Sequence, residues 1–196
     1  MKTPKQLKLV FVSLMVMAFS TQISVAQTYQ LNNVSSTLTV DGTSNIHDWQ
    51  ITAENQKGKI SVEFENGQLI KIQQLDFTVI AESLKSGKGS MDKNTYKALN
   101  TGKHKQIVFK LTKVQRINCT ASNSCKVAVT GNLTIAGTTK PIDLTFELKN
   151  GNSGITLSGS KTIKMTDFGV DPPTAMFGTI TTGDALDIKF ESNFKK

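Results

Sequence analysis

The sequence contains few of the residues that metal and nucleic-acid sites usually need. Its 196 residues include one arginine, Arg116, and two histidines, His47 and His104. Two histidines would need carboxylates to complete a metal site. The formal net charge is +8, but the lysines are scattered, which is typical of a solvated surface and not of a nucleic-acid footprint. The sequence therefore predicts no metal, no cofactor and no nucleic acid.

Catalytic motifs are also scarce. The chain has no G-x-S-x-G and no H-E-x-x-H pattern. The segment Gly87–Ser90 lacks the upstream glycine and the Lys-Ser/Thr pair of a phosphate-binding loop. Asp167-Phe168-Gly169 matches a kinase tripeptide by letters alone, since no other kinase motif is present. We therefore predict that the protein is not an enzyme.

Only one long apolar run occurs, and it lies at the beginning of the chain. Three lysines at positions 2, 5 and 8 precede the run Leu9–Phe19, and Ser24–Ala26 supplies a small-x-small cleavage site. The run is shorter than the roughly 20 apolar residues of a membrane span. The sequence predicts a cleaved signal peptide at residues 1–26, a single domain at residues 27–196, and a periplasmic or secreted bacterial protein.

The two cysteines, Cys119 and Cys125, flank a short polar loop between two predicted strands. Export to an oxidising compartment favours a disulfide across this loop. The spacing excludes a C-x-x-C redox site. Because the closed loop is short, we expect its contribution at the low end of the usual ~2–4 kcal/mol.

The segment Lys126–Lys149 predicts a hairpin. Apolar residues recur at every second position in both arms, which gives each strand one apolar and one polar face. The apolar face comprises Val127, Val129, Leu133 and Ile135 in the first arm, and Ile142, Leu144, Phe146 and Leu148 in the second. The reversal falls at residues 136–139. This pattern is typical of an antiparallel sheet with water on one face.

The same alternation recurs along the rest of the domain. Asn66-Gly67 is the strongest hairpin signal, and further strands are predicted near residues 29–31, 36–40, 49–53, 60–64, 69–81, 106–114, 155–165 and 185–194. One short helix is expected between Ser90 and Gly102. Eight or more strands without a βαβ rhythm predict an all-β fold: a single closed, lipocalin-like antiparallel barrel of about eight strands, with a β-sandwich as the alternative.

Two inward-facing glycines leave a question open. Gly131 and Gly159 lie at positions where a packed barrel would favour large side chains. They either permit sharp bends in the barrel or leave volume inside it. If the volume exists, its lining is aliphatic and aromatic, and the ligand should be apolar.

The polar segment Ser44–Trp49 admits a structural and a functional interpretation. His47 beside Asp48 would suit a general base and its orienting carboxylate, but adjacent strand residues point to opposite faces. The structural interpretation is that both residues bond to the backbone at the barrel rim and that Trp49 closes it. Contact with a ligand is the second interpretation, and a hydrolase using His47 and Asp48 is the third.

Four segments in order along the chain resemble the YceI-like family of exported lipocalin-like domains. They are Thr43–Trp49, Ile107–Phe109, Val129–Ile142 and Thr166–Val170. The most specific are the block G-x-L-T-x-x-G-x-T-x-P within the third segment and D-F-G within the fourth. The chain departs from the family around residues 96–106, where many members carry an acidic, Phe-rich segment and a proline.

The resemblance implies an eight-stranded barrel with an elongated apolar cavity that binds polyisoprenoid or other long-chain lipid. The side chains expected to contact such a ligand are Trp49, Ile51, Phe64, Phe77, Val79, Phe109, Val129, Leu133, Leu144, Phe146, Phe168 and Phe190. His47, Asp48, Lys103 and His104 are expected at the rim, where Lys103 and His104 would meet an anionic head group. A solvated charge run is the alternative interpretation of these two residues.

Two functions are predicted. The first is a non-enzymatic exported protein that holds a long-chain apolar ligand, isoprenoid or fatty-acid-like, for transport, storage or sequestration. Such a carrier would touch membranes transiently to exchange its lipid. The second is a packed barrel without a lipid ligand that acts as a protein-interaction or stress-response module. The sequence gives no oligomeric state.

Overall fold

The structure is a computed structural model that describes residues 26–120 and 123–196. The predicted signal peptide falls outside these residues except for Ala26. Within the described ranges, no helix is long and apolar enough to span a membrane.

Twelve strands and one helix make up the described chain. The first strands are β1 (Gln27–Leu31), β2 (Thr37–Ser44), β3 (Trp49–Ala53), β4 (Gln56–Glu65), β5 (Gln68–Ile80) and β6 (Leu84–Lys85). Helix α1 (Gly89–Leu99) follows. The remaining strands are β7 (Gln106–Cys119), β8 (Ser124–Ile135), β9 (Thr138–Gly151), β10 (Gly154–Lys164), β11 (Thr174–Ala175) and β12 (Ile180–Lys195).

Eight antiparallel strands close into a ring. The order is β1-β4-β5-β7-β8-β9-β10-β12, and β12 returns to β1 through the pairs Gln30 with Lys195 and Leu31 with Phe194. Strands β2, β3 and β6 continue the sheet from the other half of β12. The predicted closed antiparallel barrel is therefore confirmed. Each strand of the ring therefore pairs with a neighbour on both sides.

Two hairpin turns have left-handed backbone at both central residues. Asn66 and Gly67, with φ of 49° and 79°, reverse the chain between β4 and β5. Ala136 and Gly137, with φ of 48° and 83°, do so between β8 and β9. Positive φ at both central residues is the geometry of tight hairpins. Both turns lie where the sequence places them.

The predicted disulfide is also present. Cys119 and Cys125 are bonded, and they face each other at the ends of β7 and β8. The bond lies beside the buried residues Leu69 and Leu148. It therefore belongs to the end of the barrel that is filled by side chains.

The most completely buried large side chains gather at that end, which we call the filled end. They are Ile60, Val62, Val127, Val129, Leu148, Ile155 and Phe194, each less than 2% exposed. Except for Phe194, none of them borders the interior cavity described below. Apolar packing is therefore concentrated at the end where β1 closes the ring.

The structure corrects the interpretation of Gly131 and Gly159 as sources of empty volume. A Cβ on Gly131 would overlap the ring of Phe109, and a Cβ on Gly159 would lie 2.9 Å from Cζ of Phe190. The space above each glycine is thus occupied by a neighbouring strand's aromatic ring. The register of β7 against β8 also shifts next to Gly131, which is the kind of irregularity that bends a barrel strand.

Candidate functional site: an apolar cavity in the barrel

The open half of the barrel contains a cavity of about 420 Å³. This volume lies within the range of small-molecule sites, roughly 300–1,000 Å³. Its wall is predominantly aliphatic and aromatic, and Phe194 lies at its inner end. Such a lining favours an apolar ligand, because burying apolar surface is the dominant favourable term.

Aromatic rings lie against the cavity wall because glycines make room for them. Phe109 covers Gly131 and Phe190 covers Gly159, as described above, and the indole of Trp49 covers Gly42, where an added Cβ would be 2.6 Å from Cε2. Cross-strand aromatic–glycine pairs of this kind are a known device in barrels. The space beside these glycines is therefore occupied by aromatic rings that form part of the cavity wall.

Ten of the twelve side chains predicted to contact a ligand line this cavity. They are Trp49, Ile51, Phe77, Val79, Phe109, Leu133, Leu144, Phe146, Phe168 and Phe190. Their contact with a ligand remains a prediction. Phe168 reaches the wall from the Asp167-Phe168-Gly169 segment, where Gly169 has a φ of 67° and ends a short 3-10 turn. That tripeptide therefore shapes the barrel interior.

Phe64 and Val129 do not line the cavity. Val129 is fully enclosed by side chains, and Phe64 packs on the main hydrophobic core next to the Asn66-Gly67 turn. Alternation along a strand decides which face a residue takes, but not how deep in the barrel it lies. Both residues face inward at levels that side chains already fill.

Helix α1 covers part of the cavity with one face. Met91, Asn94, Thr95, Ala98 and Leu99 line the interior. The sequence predicts Met91, Tyr96 and Leu99 on one side of this helix; Met91 and Leu99 line the cavity and Tyr96 does not. The helix begins at Gly89, close to the predicted start. The helix thus supplies a wall where the strands do not pair.

Polar contacts fasten α1 to the chain that precedes it. Oδ1 of Asp92 accepts hydrogen bonds from the Ser86 hydroxyl at 2.6 Å and from the Ser86 backbone N–H at 2.8 Å. These bonds lower the pKa of the Asp92 carboxyl below its usual value. The Tyr96 hydroxyl donates to the Leu84 carbonyl, and Lys85 Nζ donates to the Tyr96 oxygen at 2.7 Å. The hydrogen bond with Tyr96 raises the pKa of Lys85.

The β2–β3 connection forms one side of the cavity mouth. Ser44 organises it, because its hydroxyl donates to the His47 carbonyl at 2.7 Å and accepts from the His47 N–H at 3.1 Å. Asn45 ties the loop to β12 by donating to the Thr179 carbonyl at 2.8 Å and accepting from the Thr181 N–H. The resembling segment therefore holds two distant parts of the chain together at the mouth.

His47 lines the mouth, whereas Asp48 does not. Nδ1 of His47 lies 2.9 Å from the backbone carbonyl of Asp48, and no hydrogen bond joins the ring to a carboxylate among the described residues. The indole N–H of Trp49 donates to the Thr43 carbonyl. The His47 contact agrees with the structural interpretation, whereas the Asp48 carboxylate has no hydrogen bond among the described residues. The His47 ring also lacks, within the same residues, the orienting carboxylate that a general base would use.

The structure places Lys103 and His104 away from the cavity. The backbone N–H groups of both residues donate to the Asn100 carbonyl at 2.9 Å, which turns the chain back after α1. The imidazole of His104 then covers Gly137, where a Cβ would be 2.9 Å from Nδ1. Neither position supports a head-group contact, because neither residue lines the cavity and the His104 ring lies on the β8–β9 turn.

Several polar residues of the cavity wall were not predicted from the sequence. They include Lys161 on β10 and Ser192 on β12, which both line the interior. A signal for Lys161 was available, since it occupies an apolar parity position between Ile155 and Met165. Ser192 is 2% exposed.

The fold and the cavity define a class of protein, a closed antiparallel barrel with an apolar interior open at one end. The family model of the YceI-like domain matches residues 17–194. The chain therefore belongs to the YceI-like family, as the resembling segments indicated.

Solved structures share this fold. The chain is similar to BcnA of Burkholderia cenocepacia, with 16% identity, a TM-score of 0.65, and coverage of 83% of this chain and 98% of that one. It is similar to a polyisoprenoid-binding domain from Saccharophagus degradans, with 12% identity, a TM-score of 0.64, and coverage of 85% and 97%. A YceI protein of Campylobacter jejuni has 21% identity, a TM-score of 0.56, and coverage of 79% and 85%. No curated protein matches the chain.

Proposed function

We propose that this protein is a non-enzymatic, exported carrier that holds a long-chain apolar ligand, isoprenoid or fatty-acid-like, inside its barrel. The observation that carries the proposal is the apolar cavity of about 420 Å³. The structural neighbour described as a polyisoprenoid-binding domain supports it. Transport, storage and sequestration all need such a cavity, and the disulfide between Cys119 and Cys125 suits an oxidising compartment.

The partly hollow interior favours this proposal over a packed interaction module. A barrel of about eight strands is either filled by its own side chains or holds one small ligand. In this barrel the filled end is packed by side chains, and the open half contains an apolar cavity of a size that suits the second pattern. The ten predicted contact residues on the cavity wall are those that we propose touch the ligand.

Native mass spectrometry of the purified protein tests the proposal, with titration by a long-chain probe as the second measurement. Trp49 is the only tryptophan of the chain and lines the cavity, so its fluorescence should change as the probe enters. Ile188→Phe adds volume to the wall and should weaken binding. The matched control is Ile70→Phe on an exposed residue outside the cavity. Equal binding by both variants, or no binding by the wild type, would contradict the proposal.

Exposed apolar residues near the mouth support transient membrane contact as part of this function. Met176 and Phe177 are 68% and 108% exposed, and Ile46 on the adjoining β2–β3 connection is 58% exposed. Apolar residues grouped on a surface mark contact sites.

Replacing Phe177 by Ser should slow transfer of the probe to vesicles without changing equilibrium binding. Val34→Ser, on another exposed residue away from the cavity, is the control, and equal transfer rates would refute the contact.

A further inference from the structure

Lys161 lies on the inward face of β10. The inward side chains of that strand and the residue after it are Ile155, Leu157, Gly159, Lys161, Ile163 and Met165. Lys161 is the charged member of this apolar series, and its neighbours Ser160 and Thr162 on the other face are exposed. Lys161 itself is half-buried and lines the cavity.

The neighbours of Lys161 across the sheet are aliphatic. Lys161 pairs with Ile188 of β12, Ile188 pairs with Val40 of β2, and Val40 pairs with Ile51 of β3. All four side chains line the same cavity. The side chain of Lys161 therefore lies in a layer of the cavity wall whose cross-strand neighbours are aliphatic.

No protein group neutralises this charge within the described part of the chain. Five other lysines lie within 4.0 Å of a carboxylate, whereas Lys161 has neither an ion pair nor a hydrogen bond there. A cation in apolar surroundings is costly unless it is paired. Its methylene stem can lie along the wall and lessen that cost, but an anion inside the cavity would remove it.

We propose that Lys161 is the binding site for an acidic head group, a carboxylate or a phosphate, on the long-chain ligand. This inference rests on the proposed function and names the class of its ligand. The wall continues inward from Lys161 past Phe190. It reaches Leu157, which lies four residues before Lys161 on β10 and pairs with Ser192 of β12. Four residues of strand span about 13 Å, and Phe194 closes the end, so an apolar tail can extend below the head group.

Three ligands with the same chain and different head groups test the inference. They are dodecanoate, dodecyl phosphate and dodecanol, each titrated into the full-length protein. The wild type should bind at least one of the two anions about tenfold or more tightly than the alcohol, because an ion pair is strong where water is scarce. Comparison of the two anions identifies which acid the site accepts.

Lys161→Met should abolish that preference, lowering anion affinity about tenfold while leaving alcohol affinity unchanged or higher. Lys161→Arg should retain it. The matched control is Lys164→Met, which removes a lysine from the exposed face of the same strand and should behave as the wild type. Circular dichroism establishes that each variant is folded, and Lys161→Gln replaces the methionine variant if that one does not fold.

The outcomes separate this inference from the proposed function. If the wild type binds all three ligands equally and Lys161→Met changes nothing, the inference is wrong and the carrier function stands. If the folded wild type binds none of them, the proposed function itself is overturned.

Discussion

The two ends of the barrel are built from the same kind of strand and have opposite interiors. At the filled end, residues such as Ile60, Val127 and Leu148 have no exposed surface. In the open half, inward residues of the same type, such as Leu144 and Ile188, line a cavity. A single strand contributes to both, since Leu148 and Leu144 belong to β9.

The difference arises from side-chain placement across strands. At the filled end, branched aliphatic side chains meet in the centre, and the disulfide joins the hairpin beside them. In the open half, glycines at positions 42, 131 and 159 let aromatic rings lie against the wall. Dense packing at one end can provide the stability that a hollow half cannot, because unfilled space forfeits dispersion contacts.

The largest expected effect separates two leucines of β9. Leu148→Ala removes a fully buried side chain and should lower the free energy of unfolding by about 3 kcal/mol. Leu144 already borders empty space, so Leu144→Ala should lower the free energy of unfolding by only about 1 kcal/mol. Urea denaturation measures both. Equal losses would show that the two ends do not differ in packing.

A second prediction concerns the wall between the two ends. Gly131→Ala places a methyl group into the ring of Phe109 and 2.8 Å from the Lys110 carbonyl oxygen. We expect a loss of about 2–3 kcal/mol from overpacking, together with weaker binding of the probe as the ring is pushed inward. Gly89→Ala, with open space around its added Cβ, is the control. Unchanged stability and binding in Gly131→Ala would contradict this description of the wall.

The disulfide tests whether the filled end is independent of the cavity. Replacing Cys119 and Cys125 together by Ala should reduce unfolding free energy by about 2 kcal/mol, since the closed loop is short. Probe affinity should stay at the wild-type value, because neither cysteine lines the cavity. A large fall in affinity would mean that the two ends are coupled.

The smallest expected effect concerns the attachment of α1. Asp92→Ala removes the two hydrogen bonds from Ser86 and should cost about 1 kcal/mol. Asp48→Ala, on an exposed loop carboxylate, should cost less.

The pH dependence of this attachment has a definite sign. The folded pKa of Asp92 is lowered, so its contribution is present above the unfolded pKa of about 3.9. That contribution is lost as the pH falls through the folded value. Acid titration of stability should therefore show a smaller loss in the Asp92→Ala variant than in the wild type. An identical acid response in both proteins would refute the role of Asp92.

Much of the barrel could be predicted from the sequence because its signals are local. Alternation in Lys126–Lys149 identifies the inward face, Asn66-Gly67 and Ala136-Gly137 specify turns, and the cysteine spacing specifies a hairpin disulfide. Helix α1 was visible as the segment where alternation stops. Each of these signals spans fewer than about 25 residues.

The placement of Val129, Lys161 and His104 could not be predicted in this way. Val129 and Leu144 share a face and are paired across strands, yet Val129 is enclosed and Leu144 borders the cavity. His104 was predicted at the rim, where it would meet an anionic head group, but its imidazole ring packs on Gly137. For both Val129 and His104, the contacts that decide the position come from segments far away in the sequence.

The sequence by itself determined which side chains face inward, where the chain turns, and which cysteines pair. Tertiary structure alone decided which inward positions are filled, which rings lie over which glycines, and that Lys161 enters an apolar layer formed with Ile188, Val40 and Ile51. The physical reason is that the face of a strand residue follows from a period of two along the chain. How deep a residue lies in the barrel, and which side chains it contacts, follow from the register between strands that are far apart in sequence.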